Sequence, residues 1–325
     1  GRGYYAMDVT DPANPKALWE FKWSDTCYDV SSPATHSADC HLGLTFGAPL
    51  ITKLVDGTWV ALVSSGMNNI NSPIKAGDGQ GYLYVLDAIT GKILKKVGTG
   101  VGSAASSTAT LSGTLTLNGS TAVSGSGTAF TGQLVQGQTI IVNGQSRVVQ
   151  TIGDDTNLTV TVAFSGSGPF TGTAVTGTGP ADFAYINAYI ENFIQNNTAE
   201  RVYGGDRLGN VWRIDLMRLT DPDNPASGVV DYDVVKLATL LDPSGNPQPI
   251  STTPQMMNIG QAKTRMVYVG TGRYLGESDL SDTQVQTIYG IGENLALRSD
   301  SAAYISNGST VLPTTPLTLR QQLNQ

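Results

Sequence analysis

The 325-residue chain is 40% hydrophobic but only 14% charged, against about a quarter charged in an average soluble domain. Gly (38 residues), Ser, Thr and Asn fill the gap, a balance that suits many short strands and tight turns rather than a helical bundle or a disordered chain. A net charge of −7 with no Lys/Arg run excludes a nucleic-acid-binding surface, and no apolar run reaches the roughly 18 residues of a membrane-spanning helix.

The chain opens on Gly1-Arg-Gly-Tyr-Tyr-Ala-Met-Asp8, already a strand pattern, with no Met and no leader, so it reads as an internal piece of a longer protein. Cys27 and Cys40 follow in a polar stretch, with His36 and His41 beside them. Three readings stay open there: a loop-closing disulfide, two free thiols, or a zinc site whose spacing matches no standard pattern. Thr45–Leu54 and Trp59–Gly66 form two apolar runs around Asp56-Gly57, a strong hairpin signal. Gly81–Asp87 (GYLYVLD) and KILKKV, joined by AITG, form another. From about Ser103 to Thr178 the composition shifts to Gly, Ser, Thr, Val, Ala and Leu, with Arg147, Asp154 and Asp155 as its charged residues. Alternating runs at 139–142, 147–152 and 157–162, with a turn at Asn143-Gly144, predict a small β domain. Residues 182–194 allow a strand, and 201–205, 209–215, 265–270 and 289–292 complete the pattern.

An internal repeat runs through these strands. An aromatic stands three residues before an Asp at Tyr5/Asp8, Tyr84/Asp87 and Trp212/Asp215, and a weaker copy has Tyr289 before Gly292. A four-stranded sheet cannot bury both faces alone, and stacking copies around an axis does so. The fold class expected is therefore all-β: a partial β-propeller of four-stranded blades with a small inserted β domain. The expected division is 1–102 (blades), 103–178 (insert) and 179–325 (blades), because Tyr5 to Tyr84 and Trp212 to Tyr289 span 79 and 77 residues but Tyr84 to Trp212 spans 128. Tyr5, Tyr84, Trp212 and Tyr289 are expected to wedge between blades, with Trp19 and Trp59 also in the core. Asp8, Asp87 and Asp215 are expected to cap turns.

No catalytic set stands out. The pairs Asp154/Asp155 and Asp221/Asp223 read as turn residues, no Ser has a G-x-S-x-G context, and GDGQG (77–81) lacks the lysine and helix of a phosphate loop.

Five segments in order resemble the C-terminal propeller of PilY/PilC-type tip-associated proteins of type IV pili: 1–21, 45–69, 81–94, 201–216 and 267–282. The resemblance implies a non-enzymatic pilus assembly factor and tip-associated adhesin. It also implies an extracytoplasmic location reached through the periplasm, at the pilus tip, cell surface or outer membrane, and a part in twitching motility. The partners implied are minor pilins and the pilus tip, with a host or abiotic surface beyond, and no cofactor. Some family propellers carry a calcium loop before the Y-x-G-D strand. Here the matching positions are Asn192, Ile194, Asn196 and Glu200, and an isoleucine cannot coordinate calcium, so no metal is expected at that loop. The insert is loosely similar to β modules of phage tails and bacterial surface proteins. The tail from Leu317 to Gln325 reads as a lead into a last blade. Two other functions fit a quinoprotein-like propeller: a quinone-dependent dehydrogenase, whose calcium and catalytic Asp cannot be assigned here, and an outer-membrane scaffold.

Overall fold

The computed structural model describes residues 1–28, 36–70, 77–104, 107–134, 138–176, 178–190, 197–216, 232–243, 245–259, 264–275, 277–293 and 317–318. Strands dominate them, as the alternating patterns require.

Three four-stranded sheets are simple antiparallel meanders. One holds β4 (Leu50–Lys53), β5 (Trp59–Ser64), β6 (Tyr82–Asp87) and β7 (Ile93–Gly98). The next holds β16 (Tyr185–Tyr189), β17 (Arg201–Gly205), β18 (Asn210–Asp215) and β19 (Val234–Thr239). The last holds β20 (Gln255–Ile259), β21 (Thr264–Gly270), β22 (Ile288–Gly292) and β23 (Leu317–Thr318). Leu317 and Thr318 thus complete the last of these sheets, Leu317 pairing with Gly290, and the rest of the tail, 319–325, lies outside the described residues. The first sheet has three strands, with β1 (Gly3–Asp8) antiparallel to β2 (Lys16–Trp23), and β3 (Ala38–Asp39) parallel to β2. By the repeat, β1 and β2 are the counterparts of β6 and β7.

Burial shows why the sheets stack. β6 is buried on both faces, and its two faces join different clusters. Tyr84 and Leu86 pack with Tyr4 and Phe21 of the first sheet. Leu83 and Val85 pack with Phe183, Val202, Trp212 and Ile214 of the third. The opposite side of the third sheet, with Tyr203, Val211 and Val235, packs on Val267, Val269, Tyr289 and Ile291 of the fourth. Four sheets in chain order, each buried against the next, form the propeller stack. Close approach needs glycine in places: a Cβ on Gly204 would lie 2.3 Å from the Phe183 ring.

The stretch between β7 and β16 is a separate eight-stranded sheet built from β8 (Ser107–Thr110), β9 (Thr114–Asn118), β10 (Ala122–Ser126), β11 (Thr139–Val142), β12 (Gln145–Ile152), β13 (Asn157–Val160), β14 (Ser167–Phe170) and β15 (Gly172–Thr176). β8 pairs with β15 and β9 with β14, while β8 runs almost directly into β9 and β14 into β15. With β15 also paired to β11, the sheet closes on itself and leaves little free edge. Alternate residues turn inward to one cluster that includes Leu115, Val123, Ile140, Val149 and Leu158, and the short helix α1 (Phe130–Gln133) adds Phe130. The chain enters and leaves this unit at one point: Ser103 N donates to Gly179 O (2.8 Å), and Gly179 N to Ser103 Oγ (3.0 Å).

Candidate functional site

The repeated aromatics all point the same way around the stack. Tyr84, Trp212 and Tyr289 each lie in the cluster shared with the preceding sheet. Tyr5 is 75% exposed, against the expectation that it sits between blades. Its position faces away from the second sheet, and no sheet precedes β1 within these residues, so Tyr4 rather than Tyr5 enters the core. Trp59 also departs from expectation at 44% exposed, with the Lys53 ammonium 4.9 Å from its ring centre. Trp19 is half-buried, donates from Nε1 to Ala88 O (2.9 Å), and lies so close to Gly91 that a Cβ there would meet its ring.

A turn carboxylate anchors one of these aromatics, Trp212. Asp206, fully buried, accepts from the Leu208 and Asn210 amides, the Asn210 side chain and Trp212 Nε1 (2.8 Å). Burial nevertheless pushes its carboxyl up to about 6, those donors acting the other way. Asp78 plays the matching part in the second sheet, accepting from Tyr82 Oη at 2.5 Å. Asp8 and Asp87 cap turns at Thr10 and at Ile89 and Thr90. Asp215 does not. It is 1% exposed and paired to Arg213 Nε (3.0 Å) and Arg201 Nε (3.1 Å).

Around Asp215 lies a buried charge network that sequence reasoning missed. Arg213 Nη1 reaches Glu293 Oε1 (3.1 Å), and Tyr203 Oη donates to Glu293 Oε2 (2.6 Å). Arg201 also pairs with Glu200 (3.0 Å), and the Arg265 guanidinium stacks 3.4 Å from the Tyr189 ring centre. Burial raises the Asp215 carboxyl even with both arginines pulling it down. Arg213 standing between Trp212 and Ile214 in a wholly buried strand was the available signal. The network bridges the third and fourth sheets and holds them in register.

Cys27 and Cys40 form a disulfide. Its loop straps the outer strands of the first two sheets together. Ile93 N donates to His36 O (2.9 Å), and Lys22 N to Ser37 O (3.1 Å). Lys96, buried on β7, pairs with Asp39 Oδ2 (2.9 Å), donates to Tyr28 O (3.0 Å), and lies 4.2 Å from the Tyr82 ring centre. Asp39 is buried, which raises its pKa, but the bonds to His41 and Lys96 outweigh this and hold its carboxyl below the usual range. His41 is in this cluster; His36 is exposed and stacks on Tyr28 (4.0 Å between centres).

Asn192, Ile194 and Asn196, and the pair Asp221/Asp223, lie outside the described residues. Glu200, the remaining calcium-loop position, pairs with Arg201. Residues 197–199 instead lie along β4: Lys53 N donates to Asn197 O (3.1 Å), and Ala199 N to Lys53 O (3.0 Å). Asp154 accepts from Thr156 N (2.7 Å) and Asp155 from Thr131 N (3.0 Å), both within turns of the insert. A small cleft lies between Met67, Asp182, Arg207, Ile250 and Arg273. Its charges are spoken for, Arg207 by Asp182 (3.0 Å) and Arg273 by Asp279 (2.6 Å).

A family model described as the PilY1 beta-propeller domain matches residues 1–188 and 140–310. The type IV pilus biogenesis factor PilY1 of Pseudomonas aeruginosa strain PAO1 is 25% identical over 307 residues, which are 90% of this chain and 18% of that protein. A PilY1 homolog of Xylella fastidiosa, also described as a type IV pilus biogenesis factor, is 22% identical over 324 residues, covering 97% of this chain and 16% of that one. The chain thus spans less than a fifth of the length of these curated relatives. The crystal structure of the P. aeruginosa PilY1 C-terminal domain matches in fold with a TM-score of 0.53 and 22% identity, over 91% of this chain and 44% of that domain.

Proposed function

We propose, since this chain belongs to the PilY1 β-propeller domain family, that it serves type IV pilus biogenesis as a non-enzymatic module working through protein contacts. The family match along most of the chain, on a stack of propeller sheets, is the observation that carries this reading. Its partners are then minor pilins and the pilus tip, and its place is extracytoplasmic, at the tip or the outer surface. The division into blades (1–102), insert (103–178) and blades (179–325) fits that role. The insert joins the stack where Ser103 meets Gly179, touches it again where Thr161 and Val162 meet Gly245, and has its own core, so it can meet a host or abiotic surface as an adhesive contact.

The network chemistry agrees with a contact protein. Its buried charges are neutralised by each other across sheets, an arrangement that fixes register rather than one that moves protons to a substrate. The test is affinity purification of the full-length protein from piliated cells. Minor pilins should co-purify, and the protein loaded with quinone and calcium should not oxidise alcohols with a dye acceptor. Dye-linked oxidation with no pilin retained would overturn the reading in favour of a quinoprotein enzyme.

A further inference from the structure

The strap between the first two sheets holds more ligating chemistry than a disulfide needs. Cys27, Cys40 and His41 offer ligand atoms that all lie within 4.8 Å of one another. His41 Nε2 lies 3.9 Å from Cys40 Sγ and 3.6 Å from Asp78 Oδ2. Ligand atoms around a tetrahedral zinc ion, with Zn–S about 2.3 Å and Zn–N about 2.0 Å, stand roughly 3.3–3.8 Å apart. Nε2 therefore already faces a carboxylate oxygen at that spacing, with the Cys40 sulfur just beyond it; Sγ lies nearer Nδ1, at 3.3 Å.

The outer layer fits as well. A zinc-binding imidazole usually has its other nitrogen on a carboxylate, and here His41 Nδ1 is 2.8 Å from Asp39 Oδ1. Asp39 is in turn held by its own His41 backbone amide (3.1 Å) and by Lys96. Asp78 is oriented by Tyr82 Oη and by Gln80 N (2.9 Å) and Nε2 (3.1 Å). Lys96 lies on the Nδ1 side, 2.8 Å from that nitrogen, where Asp39 stands beside it.

We propose that when the Cys27–Cys40 bond is reduced, the two thiolates, His41 Nε2 and the Asp78 carboxylate hold one zinc-type divalent cation. The chemistry balances. A dithiol reductant gives two electrons to the S–S bond, which breaks, and is itself oxidised to its disulfide. The two cysteine thiols then release their protons to solvent as the cation binds. The cation's two positive charges cancel the two new thiolates, so the buried charge around Asp39, Asp78 and Lys96 is the same in both states. Either the disulfide or the metal closes the same strap. His36, stacked outward on Tyr28, takes no part.

The experiment uses the full chain reduced with a phosphine under anaerobic conditions, with Co(II) as spectroscopic probe and Zn(II) for stability. The reduced protein should take up one cobalt per chain, show a thiolate-to-cobalt charge-transfer band, and unfold at higher temperature with zinc than without it. The oxidised protein and the Cys27→Ser/Cys40→Ser variant should do none of these, and His36→Ala should behave as wild type. His41→Ala and Asp78→Asn should each weaken cobalt affinity by tenfold or more, on the order of what zinc sites lose when a supporting group is removed. Uptake no greater than in the double serine variant would overturn the proposal. So would wild-type affinity in both His41→Ala and Asp78→Asn, or unfolding of the reduced chain that zinc does not shift.

Discussion

Asp206 shows how one residue can both build and strain this fold. It anchors the turn before β18 and the Trp212 indole through its two oxygens, yet no solvent reaches it. Its carboxyl, up at about 6 through burial, binds a proton more tightly folded than unfolded. Stability therefore falls as pH rises from about 4 towards 6, and the loss is complete above that window. A shift of about two pKa units corresponds to about 3 kcal/mol at most. Urea denaturation of wild type and Asp206→Asn at pH 4.5 and pH 7 should show wild type losing stability relative to the variant as pH rises. A pH-independent difference would show that the donors around Asp206 already offset its burial. The aromatic repeat and the turn caps Asp8 and Asp87 were legible because spacing and turn chemistry carry them, whereas the pairing of Asp215 with two arginines was not. Which face of a strand meets a neighbour was not. Tyr4 and Tyr5 are identical in composition and adjacent in sequence, and only the direction of the stack decides that Tyr4 is buried and Tyr5 exposed.

Between elements, the apolar clusters supply cohesion and the ion network supplies register. Arg213, Asp215 and Glu293 are almost without solvent contact, so removing one partner leaves an uncompensated charge. That costs about 3–5 kcal/mol, whereas replacing both with apolar residues of similar size can be close to neutral. Glu293→Gln should thus lower stability sharply, and Arg213→Met with Glu293→Leu should recover much of the loss; thermal unfolding of the three proteins measures it. Equal losses in the single and double variants would mean the pair is packing, not charge. Hydrophobic periodicity located these strands, since alternation is a local property. The network was hidden because its members lie 80 residues apart and nothing local links Arg213 to Glu293.

At the scale of the whole molecule, a stack of sheets carries a closed barrel that joins it at Ser103 and Gly179 and meets it again at Gly245. Closing the gap at 103 and 179 leaves Ser103 and Gly179 already in hydrogen-bonding contact, so excision costs little loop entropy. Deleting 103–178 should leave the blades folded, with an unfolding midpoint within a few degrees of wild type, and pilus assembly intact while surface binding changes. A degraded or unfolded deletion protein would show that the insert is part of the core. The composition shift made the insert legible, but its ring closure rests on pairings between residues as far apart as Ser107 and Thr176, which no window of sequence displays.

The claim that this propeller serves pilus biogenesis is tested most directly by surface pilin sheared from cells with and without the full-length gene. Loss of surface pilin, restored by the gene, is the predicted result. Unchanged pilin with unchanged twitching would contradict it and leave the family likeness as one of fold.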